Sequence, residues 1–394
     1  MSDKKSLGAL GAFAILMMFP VQMGMTVITP AMATLADHWG MTVADASYLS
    51  TLSTLVTTIV SFFLGSLIGK KLKFRTAAII GSLLYIIGGT APALFDSYGL
   101  TLVCRAIMGA GIGLIMPLGN ALIIGHYDGD KQSKMLGYGT LAMNFGGLVF
   151  QTLGGQLAGI GWNYVFYGHL FGVVALIMAF FIKEPEVPAE QAQPQTKTKT
   201  NISKAVIVSG ILLFLFNIVN YPAMMNVSTI FLDRDIGGAD LAAWALNIYT
   251  IVGCIGGLVF GTVFIKLKRF TLVLGFILSA VGAACVYTSY NFVLTSAGLG
   301  CIGFGFAMVL PALNAWIGFA MEPKSVAGGV GIAMALMNLG AFLSTYYLQG
   351  FQALTGDAVY QPLLVEIVLL IVLGLIFVFF NPFKKKSDEV QPAA

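Results

Sequence analysis

The sequence predicts an all-α membrane protein of two similar halves, each with six transmembrane helices, and three observations lead to this fold class. Hydrophobic residues make up 58% of the 394-residue chain and charged residues only 10%, whereas a soluble domain carries about 25% charged residues. Twelve apolar stretches reach the roughly 20 residues that a helix needs to cross the hydrocarbon core. The second half also repeats the first at a spacing of 194 residues.

The twelve stretches divide evenly between the two halves. Because segments this apolar must satisfy their backbone N–H and C=O groups internally, we expect each of them to be a helix. In the first half they are 8–33, 47–69, 76–95, 100–125, 135–157 and 163–182. In the second half they are 204–232, 241–264, 270–289, 293–319, 327–350 and 359–381.

The repeat is carried by glycine, proline and asparagine, which match by chance less often than leucine or isoleucine in so apolar a chain. The matched pairs include Gly109 with Gly303, Gly111 with Gly305, Pro117 with Pro311, Asn120 with Asn314, Asn144 with Asn338 and Gly146 with Gly340. A membrane protein built from two similar halves is expected to bind its ligand between them.

The distribution of charge predicts that both termini are cytoplasmic. With the N-terminus inside, all but two of the 21 basic residues fall on the inner side, as the positive-inside rule requires. The exceptions are Arg234 in an outer loop and Arg105 inside a span, and the outer loops carry aspartates. We therefore predict an N-terminal bundle over 1–182, a polar cytoplasmic linker over 183–203, and a C-terminal bundle over 204–394 that ends in a short disordered tail.

Nothing in the sequence indicates an enzyme, a metal site or a cofactor. The four cysteines all lie inside predicted spans, where they are expected to be small packing residues. No nucleotide-binding Gly-x-x-x-x-Gly-Lys-Ser/Thr loop and no catalytic Ser/His/Asp arrangement stands out. The net charge of +4 follows from membrane topology and needs no nucleic-acid partner. We expect a monomer in a lipid bilayer.

Three local motifs carry a resemblance to a known family. The loop after the second span keeps Gly65, Leu67 and a basic cluster, but has Gly69 where the family has an acid. The fourth span contains Arg105-x-x-x-Gly109-x-Gly111-x-Gly113, and the fifth contains Gly154-Gly155 after Phe150-Gln151 in place of Gly-Pro. Together with the two six-helix halves, these motifs resemble the major facilitator superfamily, in its drug/proton-antiporter or organic-anion-carrier branch.

The resemblance implies a secondary transporter of the cytoplasmic membrane, whose two bundles rock about a midplane site to give alternating access. Glycines let helices approach closely, and prolines weaken the helical hydrogen-bond ladder. Pro222 in particular should kink or break the seventh helix. The residues expected to have gating or structural roles are Gly65, Gly109, Gly111, Gly113, Pro117, Gly154, Gly155, Pro222 and Pro311.

Two charged residues lie inside the predicted spans, where a charge is costly and often functional. Arg105 could bind an anionic group or sense a proton-linked change in a partner, or it could snorkel outward to lipid headgroups. Glu366 could be a proton site, an acid at the outer interface, or a structural partner. Both are therefore candidates for coupling transport to protons.

Polar residues without a counterpart in the repeat are the better candidates for substrate contact, because matched positions favour a structural role. Besides Arg105, they are Gln22, Gln151, Asn217, Asn220, Asn247 and Tyr346. An apolar, amide-lined cavity with one positive charge predicts an amphipathic substrate, neutral or an organic anion such as a bile salt, with a proton or counter-anion as co-substrate. The alternatives are a proton-coupled multidrug efflux antiporter, a channel and a non-transporting receptor.

Overall fold

A computed structural model describes residues 7–65, 67–69, 71–127, 129–185, 203–321 and 323–383. Over these residues the chain forms twelve successive helical segments, named α1 to α12. Their bounds are Ala9–His38, Val43–Gly65, Phe74–Leu94, Tyr98–His126, Gly129–Ala158, Tyr164–Ala179, Lys204–Asp233, Ala239–Leu267, Phe270–Thr288, Phe292–Ala320, Pro323–Thr355 and Gln361–Phe379.

Ten of the helices within the described ranges are long and apolar enough to cross a membrane. The other two are α6, which is short, and α5, whose mean hydropathy is lowered by Asn144, Gln151 and Gln156. The prediction of an all-α membrane protein is confirmed, and a count of twelve crossings stays a prediction.

Proline interrupts α1 and α7, and Pro92 lies in the 3-10 turn Ala91–Leu94 that ends α3. The first, α1, consists of four pieces, Ala9–Leu16, Met18–Val21, a 3-10 segment Gly24–Ala31 and Met32–His38, and it contains Pro20 and Pro30, which have no backbone N–H to donate. In α7, the helix that contains Pro222 ends at Met225, and a short helix Val227–Asp233 follows. The break predicted for the seventh helix is therefore found one turn after its proline.

The repeat is visible in how the helices cross. A Cβ added to Gly111 in α4 would lie 2.6 Å from the carbonyl oxygen of Gly81 in α3, and one added to Gly305 in α10 would lie 2.5 Å from that of Gly275 in α9. Gly81 and Gly275 are themselves 194 residues apart, so the same close-packed helix crossing occurs once in each half. The α1–α5 crossing recurs as α7–α11 in the same way, with Gly146 on Pro20 and Gly340 on Phe214.

Each half has its own buried core. One cluster is drawn from residues 14–182, with Tyr85 and Ile112 among its members, and another from residues 205–377, including Phe216 and Phe276. A third cluster joins the halves, where Met225 packs among residues of α1, α2 and α5. These cores agree with the predicted bundles, whose boundaries stay a prediction; most of the linker (186–202) and the tail (384–394) lie outside the described residues.

The two ends of the molecule differ in charge. The acidic end is formed by the loops after α1, α3, α7 and α11 and carries Asp96, whose carboxylate lies 2.9 Å from His38 Nε2. That hydrogen bond lowers the pKa of Asp96, and the His38 ring stacks on Trp162 at 4.0 Å. The opposite, basic end carries lysines at the loops after α2, α6 and α8, namely Lys71, Lys73, Lys183 and Lys268.

Arg234, the single basic residue predicted for an outer loop, joins the loop after α7 to the end of α9 at the acidic end of the second half. Its guanidinium donates to the carbonyl oxygens of Val286, Tyr287 and Ser289, which end α9. It also lies between the rings of Tyr290 and Tyr360, at 4.7 and 4.6 Å from their centroids. Arg234 therefore satisfies helix carbonyls that would otherwise lack donors.

At the basic end, Glu184 ties the beginning of the linker to α3. Its carboxylate accepts hydrogen bonds from the backbone N–H groups of Phe74 (3.1 Å) and Arg75 (2.9 Å). A carboxylate at a helix N-terminus satisfies free N–H groups and complements the helix dipole. Lys73, at the N-cap position of α3, provides no side-chain hydrogen bond of its own, so Glu184 acts as the cap from a distant part of the chain.

Candidate functional site

A buried arginine joins three helices of the first half. Arg105 of α4 is completely buried; its Nε donates to the carbonyl oxygen of Leu49 in α2 at 2.7 Å, and its Nη1 lies 3.1 Å from Nε2 of His169 in α6. Nη1 also approaches the Met108 sulfur at 3.2 Å. Its Nη2 is buried without a hydrogen-bond partner among the described residues. The fork of the guanidinium therefore holds α2 and α6 against α4.

The contacts of His169 assign its tautomer. Its Nδ1 lies 2.9 Å from the carbonyl oxygen of Phe166, and a carbonyl can only accept, so Nδ1 carries the hydrogen. Nε2 is then free to accept from Arg105. His169 was not predicted as a functional residue, although an ionisable side chain inside an apolar stretch was a signal for it.

This geometry bears on what was predicted for Arg105. Full burial and inward hydrogen bonds exclude outward snorkelling to lipid headgroups. The guanidinium is engaged by protein groups and does not stand alone in a cavity as a free cation. Binding of an anionic substrate by Arg105 stays a prediction.

The second half holds a buried acid. Glu366 of α12 is completely buried, and its Oε1 accepts from Nδ2 of Asn220 in α7 at 3.3 Å. Its Oε2 has no hydrogen-bond partner among the described residues. Two residues predicted separately are thus brought together, and the burial of Glu366 excludes an acid exposed at the outer interface. Asn217, one turn earlier in α7, donates to the carbonyl oxygen of Met337 in α11 at 2.9 Å.

Hydroxyl groups join the two halves between α2 and α11. Thr345 Oγ1 lies 2.8 Å from Ser47 Oγ and 2.7 Å from Thr51 Oγ1. Nearby, the Ser50 hydroxyl lies 3.1 Å from that of Tyr221 in α7. All these positions lie in the parts of α2, α7 and α11 that approach the acidic end.

A second seam between the halves runs along α5 and α8. Asn247 donates from Nδ2 to Thr152 Oγ1 at 2.7 Å, and Gln151 Nε2 lies 3.4 Å from Thr250 Oγ1. Gly155 sits where a Cβ would come within 2.6 Å of the Ala239 carbonyl oxygen. Gln151 and Asn247, both predicted to contact substrate, therefore occupy the seam in this conformation.

The remaining predicted contact residues differ in accessibility. Tyr346 is 50% exposed and packs edge-on against Tyr48 at 5.6 Å. Gln22 is buried in α1, and its Nε2 has no hydrogen-bond partner among the described residues. Tyr346 is thus the most accessible of the seven residues predicted for substrate binding.

The predicted gating glycines mark close helix crossings. Gly109 and Gly113 of α4 face the α2 carbonyl oxygens of Ser53 and Thr57, at 2.5 and 2.7 Å from an added Cβ. Gly154 faces the Val27 carbonyl of α1. Gly65 ends the helix of α2, whereas Pro117 and Pro311 lie inside unbroken α4 and α10. Their part in gating stays a prediction.

Contacts between the halves are concentrated near the acidic end. Towards the basic end, α8 leaves open space around Gly257 and Gly261, with no atom within 4 Å of an added Cβ. The hydrogen bonds that join the halves among the described residues, such as those of Thr345, Tyr221 and Asn247, lie in the parts of the helices nearer the acidic end. The halves are thus held against each other at the acidic end.

Comparison with known families finds one match that covers most of the chain. The model of the Major Facilitator Superfamily matches residues 14–345 and, again, 210–393. The second match begins near α7, as expected of a chain whose halves repeat.

Two curated relatives match part of the chain. The Quinolone resistance protein NorA of Staphylococcus aureus is 25% identical over 189 residues, which are 46% of this chain and 48% of NorA. The uncharacterized MFS-type transporter YhcA of Bacillus subtilis is 26% identical over 201 residues, 49% of this chain and 37% of YhcA. The chain thus matches about half the length of NorA and less of YhcA.

Solved structures share the whole fold at low identity. A D-xylose-proton symporter superposes with a TM-score of 0.74 at 17% identity, covering 94% of this chain and 97% of its own. The nucleoside transporter NupG gives 0.76 at 14%, covering 95% and 99%. A bacterial homolog of the human lysosomal transporter Spinster gives 0.74 at 15%, covering 97% and 98%.

Proposed function

Because the chain belongs to the major facilitator superfamily, a family of membrane transporters rather than enzymes, we propose that it exports amphipathic small molecules across the cytoplasmic membrane in exchange for protons. Twelve helices cross the membrane, and the basic end with both termini faces the cytoplasm, as the positive-inside rule requires. The bundles 1–182 and 204–394 rock about a site between them, and the conformation described above opens towards the cytoplasm.

The observation that carries proton coupling is the Asn220–Glu366 pair. A carboxyl group buried in a membrane bundle, with one amide donor and one unpartnered oxygen, is the kind of side chain that marks proton relays. Asn220 lies six residues before the break in α7 at Asn226. Rocking of the second half about that break would change the surroundings of the carboxyl group and allow it to exchange a proton.

The substrate class is proposed from the relatives and from the state of Arg105. NorA is named for quinolone resistance, and quinolones are amphipathic drugs. The Arg105 guanidinium is already bonded to Leu49 and His169, so it offers less to an organic anion than a free cation would. We therefore favour drug export over transport of a bile-salt-like anion. Transport of such an anion is tested with cholate.

Alternating access requires the acidic end to open. Most of the bonds that close it in the described structure join neutral groups, such as those from Thr345 to Ser47 and Thr51 and from Asn247 to Thr152. One more joins the Gln349 amide to the Asp45 carboxylate at 2.8 Å. The neutral bonds are the weaker ones. Each such bond contributes only about 0.5–1.5 kcal/mol net, because water replaces it when it breaks. A gate of this kind can open and close without separating buried ion pairs.

The test is transport by the full chain in proteoliposomes under an imposed pH gradient. Norfloxacin (a quinolone), a neutral dye and cholate serve as candidate substrates. We expect norfloxacin movement to be driven by the gradient, and Glu366→Gln to abolish that drive while leaving counterflow of the drug intact. Asp37→Asn, which removes an exposed acid at the acidic end, is the matched control and should behave as the wild type.

Four results would contradict the proposal. Norfloxacin flux indifferent to the gradient would remove proton coupling, and gradient-driven flux retained in Glu366→Gln would remove the role of Glu366. Cholate transported in preference to norfloxacin would restore the organic-anion carrier. Absence of counterflow in the wild type would point to a channel or to a receptor that does not transport.

A further inference from the structure

A large cavity opens at the basic end of the second half, away from the Asn220–Glu366 pair. Its volume is 1080 Å³, and it lies between the first turn of α7, the ends of α8 and α10, and the segment after α12. Ser203, Lys204 and Lys268 line one part of it. Aromatic residues line the rest, namely Phe264, Trp316, Phe319 and Phe383.

The polar part of the cavity is suited to an anion. Lys204 and Lys268 are both exposed, and neither forms an ion pair with any described residue. No acidic residue is among the described residues that line the cavity. Ser203 precedes the free N–H groups of α7, and its hydroxyl is buried without a described hydrogen-bond partner. Two lysines, a hydroxyl and a helix N-terminus together form a recognition site for a phosphate group.

The backbone at Lys268 has an unusual conformation for a residue with a side chain. Its φ of 48° and ψ of −114° are a conformation that glycine adopts readily and a lysine side chain disfavours. Structural needs alone would favour glycine at this turn between α8 and α9. A lysine at this strained turn, on the rim of the cavity, therefore points to a binding role.

The apolar part of the cavity distinguishes a lipid from a free phosphate ion. Phe319 is 71% exposed and Ile265 76% exposed, and the Phe264 ring contacts Phe383 at 5.1 Å. These side chains lie at the helix ends, which is the level of the lipid headgroups, so they can hold the beginning of an acyl chain beside the lysines. A free phosphate ion would make no favourable contact with these apolar side chains.

We propose that this cavity is a binding site for an anionic phospholipid of the inner leaflet, with its phosphate on Lys204, Lys268 and Ser203 and its acyl chains against the aromatic wall. The proposal is independent of the transported substrate and of proton coupling, since no residue of the cavity belongs to the Asn220–Glu366 pair or to the seams between the halves. Lipid seated here would bridge α7, α8 and α10.

Trp316 makes the site directly observable. The chain has four tryptophans, and replacing Trp39, Trp162 and Trp244 by phenylalanine leaves Trp316 as the reporter in the cavity wall. Phosphatidylglycerol brominated in the acyl chain near the headgroup quenches tryptophan on contact. In the experiment, this brominated phosphatidylglycerol is added in increasing mole fraction to phosphatidylcholine liposomes that contain the full chain. The same titration with brominated phosphatidylcholine is the comparison.

We expect Trp316 to be quenched by the anionic lipid at about thirtyfold lower mole fraction than by phosphatidylcholine, because each lysine at the membrane surface contributes about a factor of five towards an anionic lipid. Lys204→Gln/Lys268→Gln should remove the preference. Lys131→Gln/Lys134→Gln, which removes two exposed lysines of α5 at the same end, should retain it.

Single-lysine variants test the proposal if the double variant does not fold. Lys268→Gly, which suits the backbone at this turn, and Lys204→Gln singly should each reduce the preference about fivefold. Equal quenching by the two lipids, or a preference unchanged in these variants, would overturn the proposal. Loss of quenching on addition of millimolar inorganic phosphate would identify a free phosphate site and overturn the assignment to lipid.

Discussion

The two charged side chains buried in the membrane are accommodated in opposite ways. Arg105 is held by a carbonyl oxygen and an imidazole on two neighbouring helices, whereas Glu366 has a single amide donor. Although its Nη2 has no described partner, a guanidinium bonded to two neighbouring helices holds them in place, since moving either helix breaks a bond to the charged group. An acid with an unpartnered oxygen is suited to change its protonation as its surroundings change. The proposed proton coupling therefore assigns the changeable charge to the second half.

The partner of Arg105 gives a prediction for His169. His169→Phe keeps an aromatic ring, although a larger one, but leaves Nη1 facing an apolar ring, and an unpaired buried donor costs about 1–3 kcal/mol. We expect a lower melting temperature in detergent and weaker drug transport. His169→Gln, whose amide oxygen can accept in place of Nε2, should recover most of both.

His126→Phe is the matched control, because His126 contacts only a carbonyl of its own helix, that of Leu122, among its described hydrogen bonds. A melting temperature that falls equally in His126→Phe and His169→Phe would contradict a specific role for the Arg105–His169 contact.

Single residues were predictable where they stood out against their surroundings. Arg105 and Glu366 were found because a charge inside an apolar span is rare. The pairing of Glu366 with Asn220 could not be found, because the two are 146 residues apart and no local pattern links them. His169 was missed because a lone histidine was not counted among the charges.

At the scale of helices, α5 and α8 form a seam of small and amide side chains. Gly155 allows the backbones to approach, and Thr152 and Asn247 supply a hydrogen bond one turn away. Small residues and amides are what membrane helices use to associate, since lipid provides no hydrophobic drive between them. The seam can therefore hold the halves together without large apolar side chains.

Substitution of the seam glycine tests this view. In Gly155→Ala the added methyl would lie 2.6 Å from both the Ala239 carbonyl oxygen and the Ala243 Cβ, so α5 and α8 must separate at the acidic end. We expect a shift towards the conformation open at that end, measured as faster maleimide labelling of a cysteine placed at Gln151, and reduced transport.

Gly257→Ala in α8 is the control, because nothing lies within 4 Å of its added Cβ. Its labelling rate should equal that of the parent protein. Labelling unchanged in Gly155→Ala would show that the seam does not close the acidic end.

The helices themselves were largely predictable, and the exceptions have physical causes. The predicted spans 100–125 and 293–319 agree with α4 and α10 to within a few residues, because length and apolar composition define them. The first span was predicted as 8–33, whereas α1 extends to His38 in four pieces. Hydropathy does not register the loss of donors at Pro20 and Pro30, and the proline argument was applied to Pro222 only, so the broken geometry of α1 was not predicted.

At the scale of the molecule, the closed acidic end predicts that the halves must separate there for transport. Ser47→Cys/Thr345→Cys, in a chain whose four native cysteines are alanine, places two thiols where hydroxyl oxygens now lie 2.8 Å apart. Oxidation should join them. We expect norfloxacin flux to fall to the background rate and to return after reduction with dithiothreitol.

Each single cysteine variant, treated with the same oxidant, should transport normally, and thiol counting establishes the extent of the cross-link. Full transport by the fully oxidised double variant would show that opening at the acidic end is not part of the cycle.

The overall architecture was predictable because the repeat in the sequence is also a repeat of helix crossings, as Gly111 on Gly81 and Gly305 on Gly275 illustrate. The seams between the halves were not, since Ser47, Thr51 and Thr345 look like ordinary polar residues of membrane helices. Contacts between halves depend on how two bundles are oriented, and a sequence read segment by segment contains no measure of that.

The attachment of Glu184 to α3 also determines how freely the halves can part. The connection between Pro185 and Ser203 could reach about 60 Å at most, at roughly 3.4 Å per residue. Lengthening it should therefore change little. If it were shortened until it limited the separation of the halves, the load would fall on Glu184, and the first turn of α3 would be the first structure to yield.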